Sequence, residues 1–275
     1  MANVNENLPE FTEQQQSVDY KALLFKFYRY WYLFAVTIFI ALSIAFIFNK
    51  YTPSVYEVKT TVLVKDKSEN KLNPQDLLGM GLFNNMQNLQ NEIGVLTSYS
   101  LTYRTVTRIG FEVSYFTEDN FITKELYRDT PFEVIMDTAY PQPVGIQFNV
   151  TFLSSDKFRL ETKNQEVSFY NFSLRKPVEG RKENVTLDGI FTVGQVIQDK
   201  NFKFKLLLTD KFDHQKDLDR SFSFNFNSYD KLVKEFQGFN IEPINREASI
   251  VEIKIKGNNV GKLADFLNAL TKEYL

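Results

Sequence analysis

The sequence predicts an α+β fold in which one N-terminal transmembrane helix holds a strand-rich domain, an antiparallel sheet or sandwich with packed helices, outside the cytoplasm. Three observations lead there. Trp31 to Phe48 reads WYLFAVTIFIALSIAFIF without a charged residue, most of Phe111 to Gly257 alternates with period two, and apolar residues recur at helical spacing on both sides of that stretch.

The apolar run, with its aromatic flanks, is long enough at about 1.5 Å per residue to cross a hydrocarbon core of about 30 Å. A core helix would carry a polar face, and a signal peptide would have a short leading region and a small-residue cleavage site. Here a long, partly acidic segment precedes the run, and Asn49, Lys50 and Tyr51 follow it. Trp31, Tyr32 and Phe48 mark the ends of the anchor. Lys21, Lys26 and Arg29 lie just before it and only Lys50 just after, which places the N-terminus in the cytoplasm. Residues 1–19 read as a disordered cytoplasmic tail and 20–30, YKALLFKFYRY from Tyr20, as an interfacial aromatic and basic segment.

Beyond the anchor, residues 51–112 read as a first strand and helices, 113–257 as the strand-rich region and 258–275 as a helix. Val55 to Lys65 sets Tyr56, Val58, Thr60, Val62 and Val64 on one face of a strand. A polar turn leads into helix from Asn73, with Met86, Leu89, Ile93 and Leu96 at helical spacing, a break or new cap at Thr97 and Ser98, and a stop at Gly110. Alternation marks strands at Ile146 to Phe152, Phe202 to Leu208 and Phe222 to Phe226, with Phe222, Phe224 and Phe226 assigned to packing ahead of a sugar-binding platform. A short helix is expected over Tyr229 to Gln237 and a strand over Ser249 to Lys256. The last helix, capped by Asn258 or Asn259, aligns Val260, Leu263, Phe266, Leu267, Leu270 and Tyr274. It stops in mid-pattern at Leu275, from which a longer natural product is expected.

Composition narrows the function. Lys plus Arg is 32 against Asp plus Glu at 34, so no positive excess is present for a nucleic-acid backbone, and nucleic acid is not an expected partner. Without cysteine there is no disulfide, thiolate metal site or Cys nucleophile. Gly189 to Gly194 and Gly257 to Lys262 have glycine spacing without the Gly-Lys-Ser/Thr ending that a nucleotide loop needs. His214 stands among Asp210, Asp213, Asp217 and Asp219 in a run that reads as a solvated loop. Neither a cofactor nor a metal is expected. The polar face of the helix near Gln87, Asn88, Gln90 and Asn91 reads as solvated, with a glycan or a neighbouring protomer as the alternative contact.

The order of several segments carries a family resemblance. Trp31 opens the span; Tyr56, Val58 and Val62 follow on a strand; NEIGVLTS at Asn91 to Ser98 fits an E-x-x-x-L-x-S run. VSYF at Val113 to Phe116, ELY at Glu125 to Tyr127, PFEV at Pro131 to Val134, and the strand and helix of Ala248 to Leu275 with FLNAL and Tyr274 complete the series. The series resembles the chain-length determinant (Wzz-type) domain of bacterial polysaccharide co-polymerases, and looks most like Bacteroidetes members whose parents are exopolysaccharide tyrosine autokinases. The resemblance implies a non-catalytic inner-membrane scaffold with a periplasmic domain. It also implies homo-oligomeric rings that work with a polysaccharide polymerase or exporter and set the length or export of O-antigen, capsule, lipopolysaccharide or exopolysaccharide. A second span and a kinase domain belong to that pattern and are not found up to Leu275. Leu89, Glu92, Ile93, Leu96, Leu263, Leu267 and Leu270 are the expected oligomer contacts. A membrane-tethered ligand-binding or sensory domain is the alternative, and a pocket of convergent polar groups would favour it.

Overall fold

The computed structural model describes residues 21, 25, 28–52, 54–64, 81–119, 122–244 and 250–275, with the side chains of 81–88 excepted. The chain divides into two units, Met1–Thr52 and Pro53–Leu275. The first contains α1 (Trp31–Tyr51), a continuous 21-residue helix.

The second unit begins with β1 (Tyr56–Leu63), followed by α2 (Gly81–Leu96) and α3 (Tyr99–Ile109). The helices are separate because Ser98 leaves the helical conformation and its hydroxyl accepts a hydrogen bond from Leu101 N at 3.2 Å, the N-cap expected at that position. Gly110 ends α3 at φ +82°, a backbone that a side chain would strain. The expected polar turn through Asn70 and the helical start at Asn73 lie outside the described residues.

β1 pairs antiparallel with β13 (Ile250–Gly257), which pairs with β12 (Asn240–Pro243). The first strand and the last are therefore neighbours, and the consecutive segments 51–112 and 113–257 share one sheet. Val58, Thr60 and Val62 lie opposite Ile255, Ile253 and Val251, and α5 (Val260–Tyr274) packs on both strands. α3 packs against α5 and against α4 (Tyr229–Phe236). The other face of this sheet is a lattice of ion pairs: Lys59 and Lys256 reach Glu57 at 3.4 and 3.6 Å, and Lys254 reaches Glu242 and Glu252 at 2.8 and 2.9 Å.

A seven-stranded sheet runs β3 (Ile122–Leu126), β2 (Val113–Asp119), β11 (Ser221–Phe226), β6 (Phe148–Phe152), β7 (Lys157–Asn171). Along one edge β7 carries β6 and then β5 (Gln142–Val144), and along the other β8 (Lys176–Thr192). A smaller sheet orders β4 (Phe132–Met136), β10 (Phe202–Leu208), β9 (Val196–Asp199). Every named pairing is antiparallel.

Rings from both sheets meet in the core of a sandwich. Phe132 lies 5.9 Å from Phe222, Phe148 lies 5.5 Å from Phe204, and Phe204 lies 5.4 Å from Phe224, each edge to face. Phe222, Phe224 and Phe226 are all buried there, as their alternation predicts.

Candidate functional site: the anchor helix and the helix layer

α1 spans about 31 Å at 1.5 Å per residue, matching a bilayer core of about 30 Å. It is the one helix among the described residues long and apolar enough to cross a membrane, and none of its residues is buried. Its two interior hydroxyls are satisfied within the helix: Thr37 donates to Phe34 O at 2.9 Å and Ser43 to Phe39 O at 2.8 Å, so hydrocarbon would meet no loose donor. Trp31 and Tyr32 stand at its first turn and Phe48 in its last, all exposed. Arg29 lies 5.9 Å from the Tyr30 ring centroid. Lys21 is exposed. Lys26 and the tail of 1–19 lie outside the described residues.

In the second unit, α2, α3 and α5 are fastened at the end of α5. Tyr274 donates to Glu92 at 2.8 Å and Arg108 reaches Glu273 at 2.8 Å. Burial and the Glu92 carboxylate push the Tyr274 phenol up to about 12.

This arrangement occupies most of the expected contact set within the protomer itself. Leu96, Leu263, Leu267 and Leu270 are buried in the protomer's own core, and Leu89 and Ile93 are half-buried against it. The apolar stripe of α5 is spent on β1 and β13, because a two-layer unit must cover the inner face of its sheet before it can offer anything to a neighbour. Glu92 is held by Tyr274. Among the described side chains of these helices, the exposed apolar ones are Val95, Tyr99 and Val260.

A polar junction ties α5 to the seven-stranded sheet. Asn259 caps α5, accepting from Lys262 N at 3.1 Å, and thereby turns the first helical turn toward β3. Lys262, only 5% exposed, reaches Glu125 at 2.6 Å and Glu235 at 3.6 Å, with its ammonium over the rings of Phe111 and Phe236. One turn on, Asp265 accepts from Tyr127 and pairs with Arg128 at 2.7 Å. Burial first, then the Asp265 carboxylate, pushes the Tyr127 phenol up to about 12.

A groove of about 500 Å³ opens beside this junction, with Glu112, Tyr115, Glu125, Arg128 and Lys262 among its walls. These groups are engaged with one another. Glu112 accepts from Tyr229 at 2.6 Å and Tyr115 from Val134 N at 2.9 Å, so the groove is lined by completed pairs rather than by polar groups converging on a ligand. Sequence reasoning quoted Glu125 and Tyr127 as part of a pattern and missed the junction, since 137 residues separate Glu125 from Lys262.

The glycine stretches take ordinary structural places. Gly194 sits at φ +81° in the turn between β8 and β9. Gly257 to Lys262 links β13 to α5 with its lysine turned inward. Around His214, Asp213 pairs with Lys216 at 3.4 Å and Asp217 accepts from Asp213 N at 2.9 Å.

The geometry defines an α+β protein with a helix built by length and composition to cross a membrane, followed by a sheet covered with helices. Residues 16–109, from ahead of that helix to the end of α3, match the family model of the chain length determinant protein, Wzz. The match covers about a third of the chain, including α1, β1, α2 and α3, and that stretch is similar to a family that determines polysaccharide chain length in association with membranes. No curated protein matches the chain.

Proposed function

We propose that the chain is a non-catalytic, membrane-anchored scaffold of a polysaccharide co-polymerase. In this reading α1 spans the inner membrane with the N-terminus in the cytoplasm. The second unit lies in the periplasm, and copies associate laterally, with a polymerase or exporter as partner, to regulate the length or export of O-antigen, capsule or exopolysaccharide. The observation that carries the reading is the match over residues 16–109, which covers the anchor and the first strand and helices together. Confinement to a bilayer raises the effective concentration of protomers, so modest contacts suffice for assembly. Among the described side chains of α2, α3 and α5, those contacts fall to Val95, Tyr99 and Val260, which are exposed.

The test is complementation. The gene is expressed in a bacterium lacking its own chain length determinant, and the surface polysaccharide is resolved on a gel. A restored modal length is expected; an unaltered, unregulated ladder would sink the reading. A tyrosine autokinase parent is part of the same proposal, and in-frame translation of the DNA beyond the Leu275 codon tests it. A second span followed by a nucleotide-binding loop is the expected result.

A further inference from the structure

We infer that the outward face of the seven-stranded sheet is a binding platform for an uncharged, hydroxyl-rich glycan segment, with Phe116 as its stacking ring. The inference rests on the polysaccharide reading above and adds a location to it.

Register defines the platform. Phe224 lies opposite Tyr115 and Phe148, and these rings point into the sandwich. The residues between them therefore point the other way. Ser223 lies opposite Phe116 on one side and Asn149 on the other, and Ser221 opposite Thr151. Glu125 continues the row beyond Phe116, and Glu161 continues it beyond Asn149. Five strands at about 4.8 Å spacing make a row about 19 Å long.

Three features select the occupant. First, Phe116 is half-buried yet stands outside the apolar core, one ring in a row otherwise made of hydroxyls, an amide and carboxylates. An aromatic face beside side-chain amides and hydroxyls offers what a pyranose needs: a flat apolar surface for its C–H face and both donors and acceptors for its hydroxyls. Second, Ser223 at the centre is buried, and polar groups on either side of it are open. Gln147 donates to Ser223 at 2.5 Å, while Asn149 and Ser221 are open to solvent.

Third, the carboxylates at the two ends of the row are paired in place. Glu125 is paired with Lys262 at 2.6 Å, and Arg159 with Glu161 at 2.5 Å and Asp188 at 3.0 Å. The row itself contains no cation to hold a phosphate or an acidic lipid headgroup, and two further exposed charges at its margin, Glu118 and Lys163, are of opposite sign, so a neutral polyhydroxyl chain is the complementary partner.

The test uses the full chain in detergent micelles and, as probe, the lipid-free surface polysaccharide purified from cells that carry the gene. Binding is titrated at low and high salt, and each variant is checked for an unchanged thermal melt. Saturable binding that survives high salt is expected, about tenfold weaker in Phe116→Ala and in Asn149→Ala and unchanged in Lys254→Ala on the other sheet. Asn149 is exposed, so its variant keeps the experiment decisive if Phe116→Ala is unstable. No binding by the natural sequence, binding abolished by salt, or binding indifferent to both variants overturns the inference. A drop in oligomer mass in Phe116→Ala without any glycan binding also overturns it, and assigns the face to a second copy. A chain that sets polysaccharide length in the complementation assay but does not bind overturns only the platform. One that binds but sets no length overturns only the scaffold reading.

Discussion

Lys262 shows what a single charge does when the fold closes over it. Its ammonium is held by Glu125 and, more loosely, by the half-exposed Glu235, and removing the nearer carboxylate would leave a buried cation short of its main partner. Glu125→Ala is expected to cost about 3 kcal/mol, whereas Lys262→Met, which removes the charge and keeps the volume, stays within about 1 kcal/mol. Urea unfolding of the two variants in detergent checks the contrast.

The tyrosines make a second prediction at this scale. Tyr115, Tyr127 and Tyr274 are each pushed up to about 12, in every case first by burial, and then by Asp265 for Tyr127 and Glu92 for Tyr274. Their unfolded value is near 10, so the stability they contribute is whole below pH 10 and is lost as the pH rises through 12. Absorbance titration should find phenolate appearing late. The unfolding midpoint should be flat up to pH 10 and fall above it.

Elements were legible where their signal is local. Ser98, Gly110 and Asn259 each act on the turn beside them, and all three stand where the sequence places a cap or stop. Ser98→Ala should cost about 1 kcal/mol by leaving Leu101 N without its cap, a difference that the same urea melts resolve. The alternation of Phe222, Phe224 and Phe226 was equally readable, because one residue in two must face the core of a sandwich.

The long hairpin of β7 and β8 was not legible along β8. That strand, KPVEGRKENVTLDGIFT, buries only Val185 fully, so its ladder of backbone bonds rather than an apolar period holds it to β7. Periodicity showed that α5 has an apolar stripe but not what covers it. Leu263, Leu267 and Leu270 give the same pattern whether they face a sheet of their own chain or a neighbouring protomer.

At the scale of the molecule, the proposed assembly depends on what the helix layer leaves outside. Val95 is exposed on α2 and has no place in the core. Val95→Asp is expected to lower the particle mass measured by light scattering in detergent while leaving the unfolding midpoint unchanged, since an exposed substitution away from caps and core moves stability by about 0.5 kcal/mol or less. Unchanged mass would move the lateral contact to another surface.

The pairing of β1 with β13 also sets an order of events. Tyr56 meets Gly257 across the longest ladder separation among the described strands, so β1 leaves the ribosome with its partner still unmade. Contacts of such range slow folding, because a long loop must close before it gains any bond. The hairpins β2–β3, β6–β7, β7–β8 and β9–β10, whose partners are near in sequence, can form while β1 waits with an open edge. A chain halted before residue 250 would keep that edge unpaired, so for this protein an interrupted synthesis is also an aggregation risk.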